Sequence, residues 1–128
     1  MAPDYPAKGS GNHKKKPAGK NELARAIEEF SKTSFPERSE NDRADQLHAE
    51  LLLFDSAVGE AVMTVAQGKH VPKEDLRGNP ELRQDLEQLA AGDDAVAAAD
   101  AAKYLTYLDG LEHLLHIARA VTIHKKKR

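Results

Sequence analysis

The stretch that decides the fold is LHAELLLFDSAVGEAVMTV, residues 47–65. Its apolar side chains are separated by four, three, four, four and three residues, at Leu47, Leu51, Phe54, Val58, Val62 and Val65. On an ideal helix these positions fall within a stripe about 80° wide. The stretch is therefore predicted to be a long amphipathic helix that buries one face and ends at Gly68.

A second long helix is predicted after Asp93 and Asp94, where apolar side chains again alternate by three and four residues. They are Ala101, Tyr104, Leu108, Leu111, Leu115 and Ala118, and Tyr107, Leu114 and Val121 widen the stripe. Shorter helices are predicted after Asn21 and after Asn79, where Pro80 suits a first helical turn. No stretch has the alternation of a strand. The predicted fold is all-α, a small up-and-down bundle of about four helices, two of them long.

The chain has the length of a single domain, and its charge divides it into three parts. Residues 1–20 have five lysines, one aspartate, three prolines and three glycines, which predicts a flexible basic N-terminal arm. Residues 124–128 form a basic C-terminal tail with a net charge of +4. The net charge of −2 for the whole chain therefore hides an acidic helical domain, residues 21–123.

Several functional classes are excluded by composition. The chain has no cysteine, which rules out disulfides, thiol catalysis, iron–sulfur clusters and cysteine-bound zinc, and indicates a cytoplasmic location. No apolar run approaches the ~20 residues of a membrane span, and we expect no membrane association. Phosphate-binding loops, nucleophile elbows and dinucleotide fingerprints are missing. We expect no cofactor and favour a non-catalytic protein.

A metal site is one alternative. Asp109, Glu112, His113 and His116 are spaced to share one face of the last helix, and carboxylates and imidazoles are ligands for zinc, iron or manganese. His48, with Asp45 or Asp55, would complete such a site from the other long helix. The same residues also form the polar face that an ordinary amphipathic helix turns to solvent, and this second interpretation is favoured.

The segment RAVTIH, residues 119–124, is a second alternative. It resembles the Arg-x4-6-His motif of the HEPN family, helical bundles of about this size that often act as metal-independent ribonucleases when dimerised. The resemblance covers these residues and the general architecture. It implies that Arg119 would steady a phosphate and that His124 would act in acid–base chemistry. The residues themselves favour a helix end whose cations complement the helix dipole.

The tetrapeptide HKKK occurs at residues 13–16 and again at residues 124–127. Its lysines, with the final arginine, are candidate contacts to a polyanion such as nucleic acid: Lys14, Lys15, Lys16, Lys125, Lys126, Lys127 and Arg128. Solvated ends are the favoured interpretation, because the domain between them is acidic and would repel nucleic acid.

The function predicted from these features is a helical protein interaction or assembly module, self-associating as a homodimer or serving as a small subunit of a larger complex. Two short helices are too short to cover both long stripes, so some apolar surface should be left for a partner. Leu53 lies away from the main stripe and is the candidate interface residue. Small residues at Ser56 and Gly59, and at Ala102 and Gly110, would permit close approach of another helix, and the alternative is that each glycine is a tolerated flaw or a bend in its helix.

Overall fold

A computed structural model describes residues 20–126, and the side chains of residues 21–122. It contains four α-helices, α1 (Lys20–Phe30), α2 (Asp42–Ala66), α3 (Pro80–Ala90) and α4 (Ala95–Lys126), with a short 3₁₀ helix (Lys73–Leu76) between α2 and α3. No strand occurs within these residues. The predicted all-α fold with two long helices is confirmed. The predicted N-terminal arm lies outside the described residues, except for Lys20.

Short polar side chains cap three of the helices. The Oδ1 atoms of Asn41, Asn79 and Asp94 accept hydrogen bonds from the backbone N–H groups of residues 44, 82 and 97, at 2.9, 3.1 and 2.9 Å. Each cap satisfies a backbone donor that has no partner within its own helix. After α2 the chain turns at Gly68, whose φ of 85° favours glycine. These residues set the helix boundaries close to the predicted ones.

The long helices α2 and α4 run parallel to each other. At their N-termini, Asn41 Nδ2 donates a hydrogen bond to Asp94 Oδ2 at 3.2 Å. Farther along both helices, the Tyr107 hydroxyl donates to Asp55 Oδ1 at 2.7 Å. Helix α4 also packs against α1, α3 and the 3₁₀ helix, so it is the element around which the bundle is built.

The two short helices run in the opposite direction to α4. Helix α1 ends with Phe30 beside Gly110, whereas its first turns share a groove with Ile117. On α3, Arg83 near the beginning of the helix bonds to Glu112, about three turns before the end of the buried part of α4. Successive helices therefore alternate in direction, which is the predicted up-and-down arrangement.

The core is formed by the two predicted stripes. All of the stripe residues of α4 are buried, and those of α2 are buried apart from the half-buried Phe54. Leu23 from α1, Leu76 from the 3₁₀ helix, and Leu82 and Leu86 from α3 complete the core. The stripes are covered apart from Phe54, because the 3₁₀ helix and the connectors cover what the short helices do not. The apolar side chains left exposed on the long helices lie outside the stripes.

The connector between α1 and α2 is fastened to both long helices. Phe35 packs edge-on against the rings of His48 and Tyr107, at centroid distances of 5.1 and 4.9 Å. The Tyr104 hydroxyl donates to the backbone oxygen of Glu37 at 2.8 Å, and burial raises the pKa of Tyr104 to about 12. Phe35, from a segment of mostly polar residues, is thus partly buried against the core.

Candidate protein interaction surface

Large apolar side chains are exposed mainly on α2. Leu53 is 73% exposed, and Leu52 and Met63 are each 47% exposed. The fourth large exposed apolar side chain of the described residues is Val96, at 53%, near the beginning of α4. Single exposed apolar residues are common on soluble proteins, but three of the four here lie on one helix.

Leu52, Leu53 and Met63 lie on the side of α2 that faces away from the core. We call this side the α2 outer face and define it by Leu52, Leu53, Ser56, Gly59, Glu60 and Met63. Within it, Leu52, Ser56, Gly59 and Met63 are spaced by four, three and four residues, so they follow one another along the helix. The face lies opposite the buried stripe of α2. The core-facing side of α2 is therefore already buried within the monomer, and the α2 outer face is not part of that core.

Gly59 leaves a shallow depression in the α2 outer face because it has no side chain. A Cβ atom built at Gly59 would have no neighbour within 4 Å, so nothing in the described chain requires the absence of a side chain there. Glycine within a helix costs about 0.5–1 kcal/mol relative to alanine. The helix thus contains a destabilising residue that the packing of the monomer does not explain. A glycine on an exposed face lets another backbone approach closely.

A groove borders the α2 outer face on the side of α1. It has a volume of about 480 Å³ and is lined by Ile27 and Phe30 from α1 and by Ser56, Gly59 and Met63 from α2, among other residues. Its floor reaches side chains of the core. The α2 outer face is therefore continuous with an apolar groove, and the two together offer a concave site along the helix.

From residue 44 to the end of α2, all of the charged side chains are acidic. Residues 44–68 have no lysine or arginine, but they have Asp45, Glu50, Asp55 and Glu60. Asp45 is paired with Arg38 at 2.7 Å, and this guanidinium lowers the pKa of the carboxyl group. Neither Glu50 nor Glu60 forms an ion pair with another described residue. Two carboxylates beside the exposed apolar side chains are thus left without a cation.

Asp55 and Tyr107 form the polar contact beneath the groove. The Tyr107 hydroxyl is buried and donates to Asp55, and its pKa is raised by this burial and by the acidic acceptor. Tyr107 therefore remains a protonated donor at neutral pH. Its ring packs against that of Phe30 at a centroid distance of 5.0 Å. This contact holds α1, α2 and α4 together and gives the groove a rigid floor.

The sequence predicted part of this surface. Leu53 lies away from the buried stripe as expected, and Ser56 and Gly59 lie on the same exposed face; their role in an interface stays a prediction. Leu52 and Met63 were missed. The signal that would have revealed them is their separation by eleven residues, about three helical turns, which places both on the side of α2 opposite the stripe that forms the core.

The four residues proposed as metal ligands contact different elements. Arg83 Nη2 donates to Asp109 and, at 2.8 Å, to Glu112, which fastens α3 to α4. His113 lines a groove between α1 and α4, and His116 is exposed. No group of three or more His, Asp or Glu side chains in the described chain is placed to hold a metal ion.

His48, the candidate ligand from α2, is engaged elsewhere. It is buried between the rings of Phe35 and Tyr104, and its Nε2 lies 2.9 Å from the backbone oxygen of Pro36. Because a carbonyl oxygen only accepts, Nε2 is the donor and carries the proton. His48 therefore helps to hold the connector between α1 and α2 against the two long helices.

Arg119 has a structural partner. Its Nη1 donates to the backbone oxygen of Leu76 at 2.7 Å, so the guanidinium closes the end of the 3₁₀ helix against α4. The backbone of His124 is helical, but its side chain lies outside the described part, as do the side chains of Lys125 and Lys126. Lys14, Lys15, Lys16, Lys127 and Arg128 lie outside the described residues altogether. The predicted polyanion contacts therefore stay predictions.

Comparisons of the chain with models of known protein families, with curated protein sequences and with solved structures give no match. No helix in residues 20–126 combines the length and apolar character that crossing a bilayer requires. The function is therefore proposed from the chemistry of the α2 outer face and its surroundings.

Proposed function

We propose that the protein is a non-catalytic helical interaction or assembly module, which binds a protein through the α2 outer face. The observation that carries the proposal is the exposure of Leu53, at 73%, on a helix whose opposite side is buried in a complete core. Leu52 and Met63 extend the apolar surface along the same helix. The packing of the monomer core therefore does not use the α2 outer face.

Burial of this surface would contribute to the energy of an interface. Complete burial of a leucine or methionine side chain contributes roughly 1.5–3 kcal/mol. Because Leu52 and Met63 are already half-buried, the three side chains would together supply about 2–5 kcal/mol. Association costs roughly 4–15 kcal/mol, so the partner would also have to bury the groove toward α1. Gly59 would let the backbone of a partner helix come close, which increases the area of contact.

Assembly could join two copies or place the chain as a small subunit in a larger complex. The cysteine-free sequence suits the reducing cytoplasm, where we place the protein. Nucleic-acid binding through the HKKK segments is the competing proposal. The acidic domain weakens it, since a net charge of −10 between the basic ends repels phosphates.

A HEPN-like ribonuclease is supported less well. Arg119 is bonded to the oxygen of Leu76, whereas the resemblance requires its guanidinium to meet a phosphate. The Arg119→Ala variant separates the two functions, because it would remove nuclease activity and leave assembly through α2 intact.

Multi-angle light scattering of the purified full chain tests the proposal, at low and moderate salt, with and without mixed RNA. We expect no change in mass on addition of RNA, and a mass above that of the monomer would show self-assembly. Leu53→Ser should lower this mass, and Val96→Ser is the matched control because it removes another exposed apolar side chain. A salt-sensitive mass increase with RNA would contradict the proposal and favour the basic ends. A monomer indifferent to RNA would exclude self-assembly and leave a different protein as the partner.

A further inference from the structure

We infer that the segment bound by the α2 outer face is a basic amphipathic helix of another protein. The inference rests on the proposed function and names the chemistry of its partner. It follows from three properties of the surface: the helical spacing of its apolar side chains, its unpaired carboxylates, and the complete absence of lysine and arginine from residues 44–68.

The shape of the surface favours a helix as its occupant. Leu52 and Met63 stand at two ends of a line of side chains that includes Ser56 and Gly59, and the groove toward α1 runs beside this line. Helices bind such sites by placing residues at positions i, i+3, i+4 and i+7 against the groove. The low profile at Gly59, with no atom within 4 Å of a Cβ placed there, lets the backbone of the incoming helix approach closely.

The charge of the surface decides against a second copy of the same face. Glu50 and Glu60 lie beside Leu53 along α2, and neither is paired with a described residue. A two-fold contact would bring these carboxylates near their equivalents, and residues 44–68 supply no cation to neutralise them. Like charges at an interface suppress association, whereas opposite charges speed it and select the partner. A helix with lysine or arginine beside its apolar residues is complementary.

The basic ends of the chain itself do not meet both requirements. Residues 1–20 have one large aromatic side chain, Tyr5, and residues 124–128 have no apolar side chain. They offer cations without the series of apolar anchors that Leu52, Leu53 and Met63 would bury. Nucleic acids and anionic membranes are also disfavoured, because their phosphates would meet Glu50 and Glu60.

A displayed library of helical peptides tests the inference with the full-length protein as the target. The peptides are about 18 residues long, which gives a helix of about 27 Å. Their apolar residues vary at heptad positions, and their flanking positions are all lysine in one half of the library and all glutamate in the other. The best peptides of each half are then measured by fluorescence anisotropy at low and moderate salt.

We expect lysine-flanked peptides to bind about tenfold or more tightly than the best glutamate-flanked peptides, with a preference that weakens as salt rises. Leu53→Ser should weaken binding about tenfold or more, since it removes the most exposed anchor. The double variant Glu50→Lys and Glu60→Lys should remove or reverse the preference for lysine. Val96→Ser, outside the α2 outer face, should leave binding unchanged.

Three results would overturn the inference: equal binding of both halves, no binding peptide in either, or binding that Leu53→Ser leaves intact. Light scattering separates this failure from that of the proposed function. If wild-type protein assembles with itself and Leu53→Ser prevents it, assembly through α2 stands and the basic partner is wrong. If neither self-assembly nor peptide binding depends on Leu53, both proposals fall.

Discussion

Helices α4 and α2 each have a glycine near the middle, and the two glycines lie in opposite surroundings. A Cβ atom at Gly110 in α4 would overlap the ring of Phe30 from α1, whereas a Cβ atom at Gly59 in α2 would have no neighbour within 4 Å. The first glycine is required by the packing of α1 against α4. The second is not required by any described contact.

The difference extends to the helix faces around the glycines. The face of α4 near Gly110 includes Leu114, which is 5% exposed, and the α2 outer face near Gly59 includes Met63, which is 47% exposed. The inner face of α4 therefore supplies the stability of the monomer. The α2 outer face costs the monomer some helix stability at Gly59 and buries little in return. This contrast is the basis of the proposed role of the α2 outer face in association.

The largest effect should come from truncating the core. Leu108→Ala removes a completely buried side chain of α4, and we expect it to lower the free energy of unfolding by about 2–5 kcal/mol. The matched substitution Leu53→Ala should change the same quantity by less than about 0.5 kcal/mol. Urea unfolding of both variants at a protein concentration that keeps them monomeric measures the contrast. Equal losses would mean that the two faces do not differ in the monomer.

Gly110→Ala should have the next largest effect. The new methyl group would displace the ring of Phe30, which also packs against Tyr107, and overpacking of this kind costs about 1–3 kcal/mol. The gain in helix propensity of about 1 kcal/mol offsets only part of it. We expect a net loss of up to about 2 kcal/mol in urea unfolding. In a Phe30→Ala background the same substitution should become stabilising, and stabilisation in the wild-type background would contradict the close contact.

Tyr104→Phe tests the fastening of the connector to α4. It removes the hydrogen bond to the oxygen of Glu37 and should cost about 0.5–1.5 kcal/mol. It should also change the response to high pH. The pKa of Tyr104 is raised to about 12 in the folded protein, so wild-type stability should be intact below the ordinary tyrosine pKa and fall as pH rises from about 10 to 12.

Circular dichroism during urea unfolding at several alkaline pH values measures this response. Tyr104→Phe should lose less stability than wild type over the same pH interval, and Tyr107, whose pKa is also raised by burial, should account for part of the remaining loss. An identical alkaline decline in both proteins would show that Tyr104 does not contribute to it.

The smallest effect is expected at Gly59 and has the opposite sign. Gly59→Ala should stabilise the monomer by about 0.5–1 kcal/mol, because the methyl group enters open space and the helix loses a flexible residue. Thermal unfolding of the dilute protein measures it. Gly59→Leu then tests the partner: it should leave the monomer folded and weaken association. Association unchanged by the leucine would show that no backbone approaches Gly59.

Most of the fold could be predicted from the sequence because helical periodicity records which side of each helix is buried. The spacing from Leu47 to Val65 identifies the core-facing side of α2. The pair Asn79 and Pro80 identifies the beginning of α3. How much of the two long helices is covered by the other elements could not be predicted in this way. It depends on Phe35 and Leu76, which lie in a connector and a single 3₁₀ turn and show no periodicity.

The candidate surface could be predicted only in part. Leu53 stands out because it departs from the buried stripe, but the sequence does not distinguish Gly59 from Gly110, since their difference lies in what approaches from another helix. The same holds for Asp109 and Glu112, which resemble metal ligands in spacing and are bound by Arg83 from α3. Contacts between distant parts of the chain decide these cases.

The central claim is that the α2 outer face is open in the monomer and covered in the assembly. The chain has no cysteine, so Leu53→Cys and Leu108→Cys each introduce a single thiol whose rate of labelling reports access to its face. In dilute protein we predict rapid labelling at position 53 and labelling at position 108 only through unfolding. Addition of the best lysine-flanked peptide should then slow labelling at position 53. Slow labelling in the dilute monomer, or labelling that the bound peptide leaves unchanged, would contradict the account.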